Sequence, residues 1–299
     1  MAGGRVVELA TLYPGPLAGR LLAGWGFEVV KVEPPGGDPM KSFSPLLYRL
    51  LNEGKRRVVV DLKSEEGRRI LYDMVRGADA VITSFRPQAA ERLGVSYRVL
   101  SAVNPSIIYV AITGYESSNA PGHDINFAAV AGHIRDSVPT PQSIDVATGL
   151  VAAFAVAASV ALGRAGYFEV PMERVALLLN LLNFANIGDV GEPRLTGSYP
   201  FYNIYRCADG KVALGAVEPK FWERFCMLIG RPDLINRILD PGAVTEVEKE
   251  TSRIKCGELL NRAAELDVPL APVLSLEEVA KRVDLDKLIS AFLKVNFEK

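Results

Sequence analysis

The chain has 299 residues, 49% of them apolar, and its 34 basic and 35 acidic side chains leave a formal net charge of −1. This length and apolar content are sufficient for a large buried core and for two domains. The balanced charge gives no reason to expect binding to nucleic acid or to an anionic membrane, so we expect neither partner.

Short β-branched runs alternate with helical patterns through the first half of the chain. The predicted strands are 5–9, 28–33, 57–61, 80–83 and 107–113, and predicted helices cover 16–25 and 65–77. This alternation indicates βαβ units and a parallel sheet with helices on both faces, hence an α/β fold. The loops at Pro14–Pro16 and Pro34–Pro39 follow strands, where open α/β sheets bind ligands.

Two apolar helical segments follow between Asp145 and Asn186, separated by a short strand pattern at 167–170. Neither segment has a clear polar face, so both are predicted to be buried. The most apolar stretch, Leu150–Leu162, is shorter than the roughly 20 residues that span a bilayer. It therefore predicts a core helix.

A second pattern begins after residues 188–204, which contain several Gly and Pro residues and are predicted to be a linker. Asp209-Gly210 predicts a hairpin turn, and helices are predicted near 219–229, 251–266 and 276–292. We therefore predict a large α/β domain over 1–187 and a small α+β domain over 205–279.

The three cysteines, Cys207, Cys226 and Cys256, are too widely spaced for a zinc motif and too few for a disulfide scaffold. We expect reduced thiols and no metal site. The first residues show no basic region followed by an apolar segment, so a cytoplasmic location is expected.

Cations follow several predicted strands, although no Gly-x-Gly-x-x-Gly or P-loop motif is present. They are Lys31, Lys55, Arg56, Arg57, Lys63, Arg86 and Arg92. Taken singly, each is best explained as a solvated surface charge. Taken together, they could hold a phosphorylated adenosine, because arginine binds phosphate with two parallel hydrogen bonds.

His123 is one of only two histidines and stands between a predicted strand end and an apolar helix. Histidine can accept and return a proton near neutral pH. Local sequence alone explains His123 as a helix start, Asp124 as a first-turn carboxylate and Asp145 as an N-cap. Glu218 precedes a proline that opens a helix, and each of these signals is weak by itself.

In combination, these segments resemble the class III CoA-transferase (CaiB/BaiF) family, with motifs most similar to those of the α-methylacyl-CoA racemases. The matching segments are 5–10, 14–16, 29–39, 52–63, 84–87, 91–94, 122–127, the Asp145 helix start, 202–210 and 215–222. They occur in the family's order over roughly residues 5–275. We therefore identify the chain as a member of this family.

The resemblance implies a Rossmann-like large domain, completed by residues 280–299, and an interlocked homodimer. The active site would lie between the large domain of one subunit and the small domain of the other. His123 and Asp145 would be the acid/base pair, and Glu218 would pair with His123. The implied CoA contacts are Leu12, Tyr13, Pro14, Pro34, Val60, Lys63, Ser84, Phe85, Arg86, Arg92, Pro121, Gly122 and Asp124. CoA enters as part of the acyl-CoA substrate, and no cofactor is implied.

Racemisation needs two acid/base groups flanking the α-carbon of the thioester. Backbone N–H groups at the start of the Asp145 helix are candidate donors to the enolate oxygen. Within the same family, CoA transfer uses the aspartate as a nucleophile. The sequence Asp145-Val-Ala-Thr-Gly departs from the Asp-Phe-x-Gly-Gly of many racemases, which keeps CoA transfer as an alternative.

A third alternative is a family member that binds CoA without turnover. The chain is shorter than typical relatives around residues 132–145 and 163–166 and beyond 276. The presence of His123, Asp145 and Glu218 together argues against that loss of function.

Overall fold

Six parallel strands form the central sheet of the first half of the chain, which confirms the predicted α/β class. The computed structural model describes residues 3–116, 118–134 and 137–291. The strands are β1 (Arg5–Leu9), β2 (Glu28–Glu33), β3 (Arg56–Val59), β4 (Ala80–Thr83), β5 (Ile108–Thr113) and β6 (Gly166–Pro171). Their order across the sheet is β3-β2-β1-β4-β5-β6, and every neighbouring pair is parallel.

Helices connect these strands and cover both faces of the sheet. They are α1 (Pro14–Gly24), α2 (Met40–Phe43), α3 (Pro45–Asn52), α4 (Glu65–Arg76), α5 (Pro87–Leu93), α6 (Tyr97–Val103), α7 (Asp124–Val130), α8 (Ser143–Leu162) and α9 (Met172–Leu179). Adjacent strand residues point to opposite faces, so Val6 and Val7 enter two different apolar cores. One core contains α1 and α8, and the other contains α4.

The direction of strand order reverses between β1 and β4, which are neighbours in the sheet. Crevices at the carboxyl ends of strands at such a reversal are the usual ligand sites of open α/β sheets. The loop after β1 and the loop after β4 therefore meet where a ligand is expected. This geometry sets the position of the candidate site.

The chain divides into two compact units. The first contains the described residues up to Asn180 and those from Asp284 onward, and the second is Leu181–Val283. The elements of the second unit are α10 (Leu181–Val190), β7 (Tyr202–Cys207), β8 (Gly210–Gly215), α11 (Pro219–Leu228), a 3-10 helix (Pro232–Arg237), α12 (Ala243–Thr251), α13 (Cys256–Glu265), β9 (Leu270–Pro272) and α14 (Leu276–Ala280). A last helix, α15 (Leu285–Ala291), belongs to the first unit, where Asp286 pairs with Arg49 at 2.8 Å.

The second unit has its own antiparallel sheet, ordered β7-β8-β9. The predicted hairpin turn lies between Cys207 and Gly210, which are paired across β7 and β8. Trp222 and Phe225 of α11 are fully buried against this sheet. An aromatic core therefore stabilises this smaller unit.

The predicted linker at 188–204 is not an extended connection. Its first residues continue α10, and Tyr199 and Phe201 are buried in the second core. The structure places the boundary between Asn180 and Leu181 instead. The Gly and Pro residues of this stretch lie in a packed loop. The loop packs because removing the aromatic side chains from water is favourable. The predicted large-domain residues 1–2 and 292–299 lie outside the described range.

Both apolar helical segments carry exposed apolar side chains, so the prediction that they are buried is only partly right. One face of α8, including Ala152 and Val156, packs in the core, whereas Phe154 is 71% exposed. The Leu-rich segment exposes Leu178, Leu179, Leu181, Leu182, Phe184, Ile187 and Val190. An apolar sequence indicates that burial of a helix face is favourable. It does not indicate that the same chain covers that face.

Helix α8 also has the length and hydropathy of a membrane span, with 39% of its most apolar 18-residue window buried in the structure. Length and composition do not separate a membrane helix from a core helix. A single helix of this kind is weak evidence for a membrane protein.

Two of the three cysteines form a disulfide, which contradicts the expectation of reduced thiols. Cys207 and Cys256 are joined with Cα atoms 5.3 Å apart, within the ordinary range, and Cys226 is free and buried. The bond connects the end of β7 to the start of α13. Their separation of 49 residues follows no recognisable spacing, so only the tertiary fold brings the two thiols together.

Reducing this disulfide is expected to lower the free energy of unfolding of the second unit by about 4 kcal/mol, the loop-entropy value for a cross-link of this span. Urea denaturation with and without dithiothreitol, followed by Trp222 fluorescence in a Trp25→Phe background, measures the difference. The Cys207→Ser variant is the control, since reductant should not change its stability. An equal free energy of unfolding for the oxidised and the reduced protein would contradict the expected stabilisation by this disulfide.

Candidate active site

A cavity of about 280 Å³ lies at the carboxyl ends of the central strands in the first unit. Its wall combines the loop after β1, the loop after β4, the segment before α7 and the start of α8. The lining residues are Thr11, Leu12, Tyr13, Pro14, Ser84, Arg86, Ile112, Thr113, Gly114, Ala120, Pro121, Gly122, His123, Asp145 and Met172. His123 and Asp145, predicted from the sequence as an acid/base pair, therefore line the same cavity. We refer to it as the catalytic cavity.

His123 immediately precedes α7 and is exposed. Its N–H donates to Asn126 Oδ1 at 3.0 Å, which fixes the helix start. At Gly122, a Cβ atom would lie 2.7 Å from the ring of Phe127, which is fully buried. Only glycine lets the loop pass this close to the ring, so Gly122 sets the position of His123.

Asp145 lies in the first turn of α8 and is half-buried. Burial, together with the nearby negative charge of Asp124, raises the pKa of Asp145 from 3.8 to about 7. Near neutral pH the carboxyl group therefore exists in both protonation states. This behaviour suits a group that both accepts and returns protons.

Asp124 caps α8 instead of facing the cavity. It is 9% exposed, and its Oδ1 accepts the N–H groups of Ile144 and Asp145, both at 2.9 Å. It lies outside the catalytic cavity wall, although the sequence places it among the CoA contacts. The sequence predicts backbone N–H groups at the start of this helix as donors to an enolate oxygen, but those of Ile144 and Asp145 already donate to Asp124.

Replacing Asp124 by asparagine is expected to lower the pKa of Asp145 from about 7, because the substitution removes a like charge. The amide oxygen can still accept from α8, and burial should keep the pKa above its ordinary value. A ¹³C NMR titration of labelled aspartate carboxyls measures the change. An unchanged pKa would mean that burial alone causes the shift.

A second cavity, of about 460 Å³, adjoins the first, and Thr11 lines both. Four of the predicted CoA contacts line it: Pro34, Val60, Lys63 and Phe85. Seven others line the catalytic cavity: Leu12, Tyr13, Pro14, Ser84, Arg86, Pro121 and Gly122. Arg92 lies apart and lines a third cavity, of about 690 Å³, together with Phe85. Contact of these residues with CoA stays a prediction.

Two of the cations assigned to a phosphate site are instead fully buried. Lys31 pairs with Glu8 at 3.0 Å and with Asp38 at 2.9 Å, and Lys55 pairs with Glu8 at 2.6 Å. Burial lowers the pKa of Lys55 to about 8, whereas at Lys31 the carboxylates of Glu8 and Asp38 outweigh burial and raise the pKa. Neither ammonium group is available to a phosphate.

This ion cluster, formed by Glu8, Lys31, Asp38 and Lys55, also holds the turn after β1. Asp38 Oδ1 accepts the N–H of Leu12 at 3.2 Å, and Leu12 has a positive φ of 66°, which is unfavourable for leucine. Sequence reasoning missed this cluster, although charged residues inside apolar strands were its signal. Glu8 and Lys31 are directly paired in the β1–β2 register.

Glu218 belongs to the second unit, where it is exposed and immediately precedes α11. Pro219 opens the helix, as the sequence predicts. The pairing of Glu218 with His123 stays a prediction.

Comparison with known proteins gives a consistent result over almost the whole chain. The sequence profile of CoA-transferase family III matches residues 1–289. The chain is 33% identical to the probable fatty acyl-CoA transferase Rv3272 of Mycobacterium tuberculosis, with 93% of this chain and 78% of that protein aligned. It is 29% identical to human α-methylacyl-CoA racemase, with 93% of this chain and 79% of that protein aligned.

The fold is also similar to a solved structure. The crystal structure of Rv3272 superimposes with a TM-score of 0.83 and 28% identity, covering 94% of this chain and 85% of that one. The relatives thus include a protein named as a transferase and one named as a racemase. Similarity alone does not choose between the two reactions.

Proposed function

Because the chain belongs to CoA-transferase family III, we propose that it racemises 2-methylacyl-CoA thioesters by moving the α-proton from one face to the other. The observation that carries this proposal is the shared cavity of His123 and Asp145. Two proton-transferring groups from different segments of the chain converge on one small space. A transferase that uses only a carboxylate nucleophile does not need the histidine.

In the proposed reaction, one of the two side chains removes the proton from the α-carbon, and the electron pair moves onto the thioester oxygen to form an enolate. The other side chain then gives a proton to the opposite face of the same carbon. His123 suits this role because of its chemistry, and Asp145 because its pKa is about 7. The reverse reaction uses the same pair with the roles exchanged, and CoA is needed only as part of the substrate.

We further propose that the active protein is a homodimer in which Glu218 of a second copy orients His123 and stabilises its charged form. The apolar side chains exposed on α9 and α10 support association, since large exposed apolar patches commonly mark interfaces. The interlocked arrangement comes from the family resemblance.

CoA transfer is the second candidate function, favoured by the 33% identity to a probable fatty acyl-CoA transferase. In that reaction the Asp145 carboxylate attacks the thioester, giving a mixed anhydride and free CoA thiolate. The thiolate then attacks the Asp145 carbonyl, which releases the first carboxylate and leaves CoA on Asp145. An acceptor carboxylate finally receives CoA through the same two steps in reverse.

Incubation of the protein with a single enantiomer of a 2-methylacyl-CoA in deuterated water separates the candidates. Deuterium at the α-carbon with loss of optical purity supports racemisation, and an inert α-carbon excludes it. Transfer of CoA to an added carboxylate, with inactivation by hydroxylamine during turnover, would indicate CoA transfer. Binding of acyl-CoA without either reaction would indicate a protein that binds CoA without turnover.

A further inference from the structure

Tyr13 lies in the turn between β1 and α1 and lines the catalytic cavity together with Asp145. Its side chain is half-buried. The hydroxyl group makes no hydrogen bond with any residue in the described part of the chain. A phenol that faces a ligand cavity without a protein partner is free to donate to a ligand.

The packing of α1 on α8 determines where Tyr13 lies. Gly149 is one turn after Asp145, and a Cβ atom there would be only 2.8 Å from the carbonyl oxygen of Pro14. Glycine at this position therefore lets the residue next to Tyr13 contact the α8 backbone. Asp38 fixes the other side of the turn by accepting the N–H of Leu12. Tyr13 is held beside Asp145 by backbone contacts on both sides.

The local electrostatics keep the phenol protonated. Burial raises the pKa of Tyr13 above its ordinary value of 10.0, and the charge of Asp145 raises it further. The O–H group is thus present across the neutral range.

Both candidate reactions place negative charge on the thioester oxygen, as an enolate in racemisation and as a tetrahedral oxyanion in CoA transfer. Donors aimed at such an oxygen supply a large part of catalysis. The N–H groups of Ile144 and Asp145 cannot serve, because Asp124 accepts both. We propose that Tyr13 is a further catalytic residue whose hydroxyl group donates a hydrogen bond to the thioester oxygen.

This inference rests on the proposed function only in that an acyl-CoA binds in the catalytic cavity. It does not depend on which reaction follows, because the oxygen carries the developing charge in both. It also gives Tyr13 a role beyond simple contact with CoA.

The test is Tyr13→Phe, which removes the hydroxyl group and keeps the ring. We expect kcat to fall by about 10²–10³-fold, the usual effect of losing one oxyanion donor, while KM and the affinity for CoA stay within about twofold. Tyr72→Phe is the matched control, because Tyr72 lies on α4, outside the three cavities described above, and this variant should retain wild-type kcat. Wild-type kcat in Tyr13→Phe would overturn the inference.

A spectroscopic measurement separates substrate contact from a merely structural role. The infrared stretch of a ¹³C-labelled thioester carbonyl, bound to the protein, should lie at lower frequency in the wild type than in Tyr13→Phe. An identical frequency in the two proteins would overturn the inference even if kcat falls.

The same measurement distinguishes failure of the inference from failure of the proposed function. If the wild type binds acyl-CoA but neither exchanges nor transfers, the proposed function fails, while the carbonyl shift still decides the role of Tyr13. If the wild type does not bind acyl-CoA, both are overturned.

Discussion

Replacing His123 by alanine is expected to abolish exchange of the α-proton while CoA still binds. A positioned acid or base contributes about 10²–10⁴-fold to proton transfer, and racemisation requires one such group on each face of the carbon. Deuterium incorporation at the α-carbon, measured by mass spectrometry, should therefore fall by at least that factor. Calorimetric titration with CoA should give an unchanged affinity, since the chemistry and not the binding is lost.

The second histidine provides the matched control for this experiment. His133 Nε2 lies 2.8 Å from the carbonyl oxygen of Ala176, away from the catalytic cavity. His133→Gln keeps a side-chain donor and should retain proton exchange. Exchange that persists in His123→Ala would overturn the assignment of the base, whereas CoA transfer that persists there would favour the alternative reaction.

Replacing Asp145 by asparagine is expected to abolish both reactions and, at the same time, to stabilise the folded protein at alkaline pH. The carboxylate is a base in one reaction and the nucleophile in the other, so the loss should exceed about 10³-fold in either case. Asparagine keeps the size of the side chain and removes its charge. A loss of activity together with a gain in stability is the trade-off expected at a destabilised catalytic group.

The sign of the stability effect follows from the pKa of Asp145, which is about 7 in the folded protein and 3.8 for the ordinary group. Between these values the folded state retains a proton that the unfolded state has lost, so the wild type loses stability as pH rises through this range. Above the folded pKa, the wild type carries the full loss of stability that comes from ionising Asp145 in the folded state. Because the group is partly solvated, we expect Asp145→Asn to gain only about 1–3 kcal/mol at pH 8 and little at pH 4.

Thermal unfolding of the wild type and Asp145→Asn at both pH values tests this expectation. Asp73→Asn, a substitution at an exposed carboxylate, is the control and should show little difference between the two conditions. An equal midpoint for Asp145→Asn and the wild type at pH 8 would mean that the carboxylate is not destabilised by its surroundings.

Local patterns predicted most of the architecture, because strands and helices leave periodic signals in neighbouring residues. The strand at Ala80–Thr83 and the helix start at Pro219 needed only such signals. The family motifs also predicted His123 and Asp145 as site residues, and the fold brings them to one cavity.

What the sequence did not predict depends on contacts between distant segments. The cap that joins Asp124 to Ile144 and the disulfide between Cys207 and Cys256 exist only because the fold brings the partners together. Burial of Lys31 depended on the sheet register, which a strand pattern alone does not give. The prediction that the residues of α10 are buried was wrong for a different reason. It assumed that apolar side chains are covered by the same chain, whereas those of α10 are exposed.

The ion cluster of Glu8, Lys31, Asp38 and Lys55 restricts how this chain can diverge. Its two cations and two anions are balanced, so neutralising a single member would leave an unpaired charge in the core, a change that typically costs about 3–5 kcal/mol. Homologues should therefore gain or lose these residues in pairs of opposite sign. Because Asp38 also holds Leu12, such paired replacement would reshape the turn that carries Tyr13. Paired replacements would therefore change the wall of the catalytic cavity, although none of the four residues of the cluster lines it.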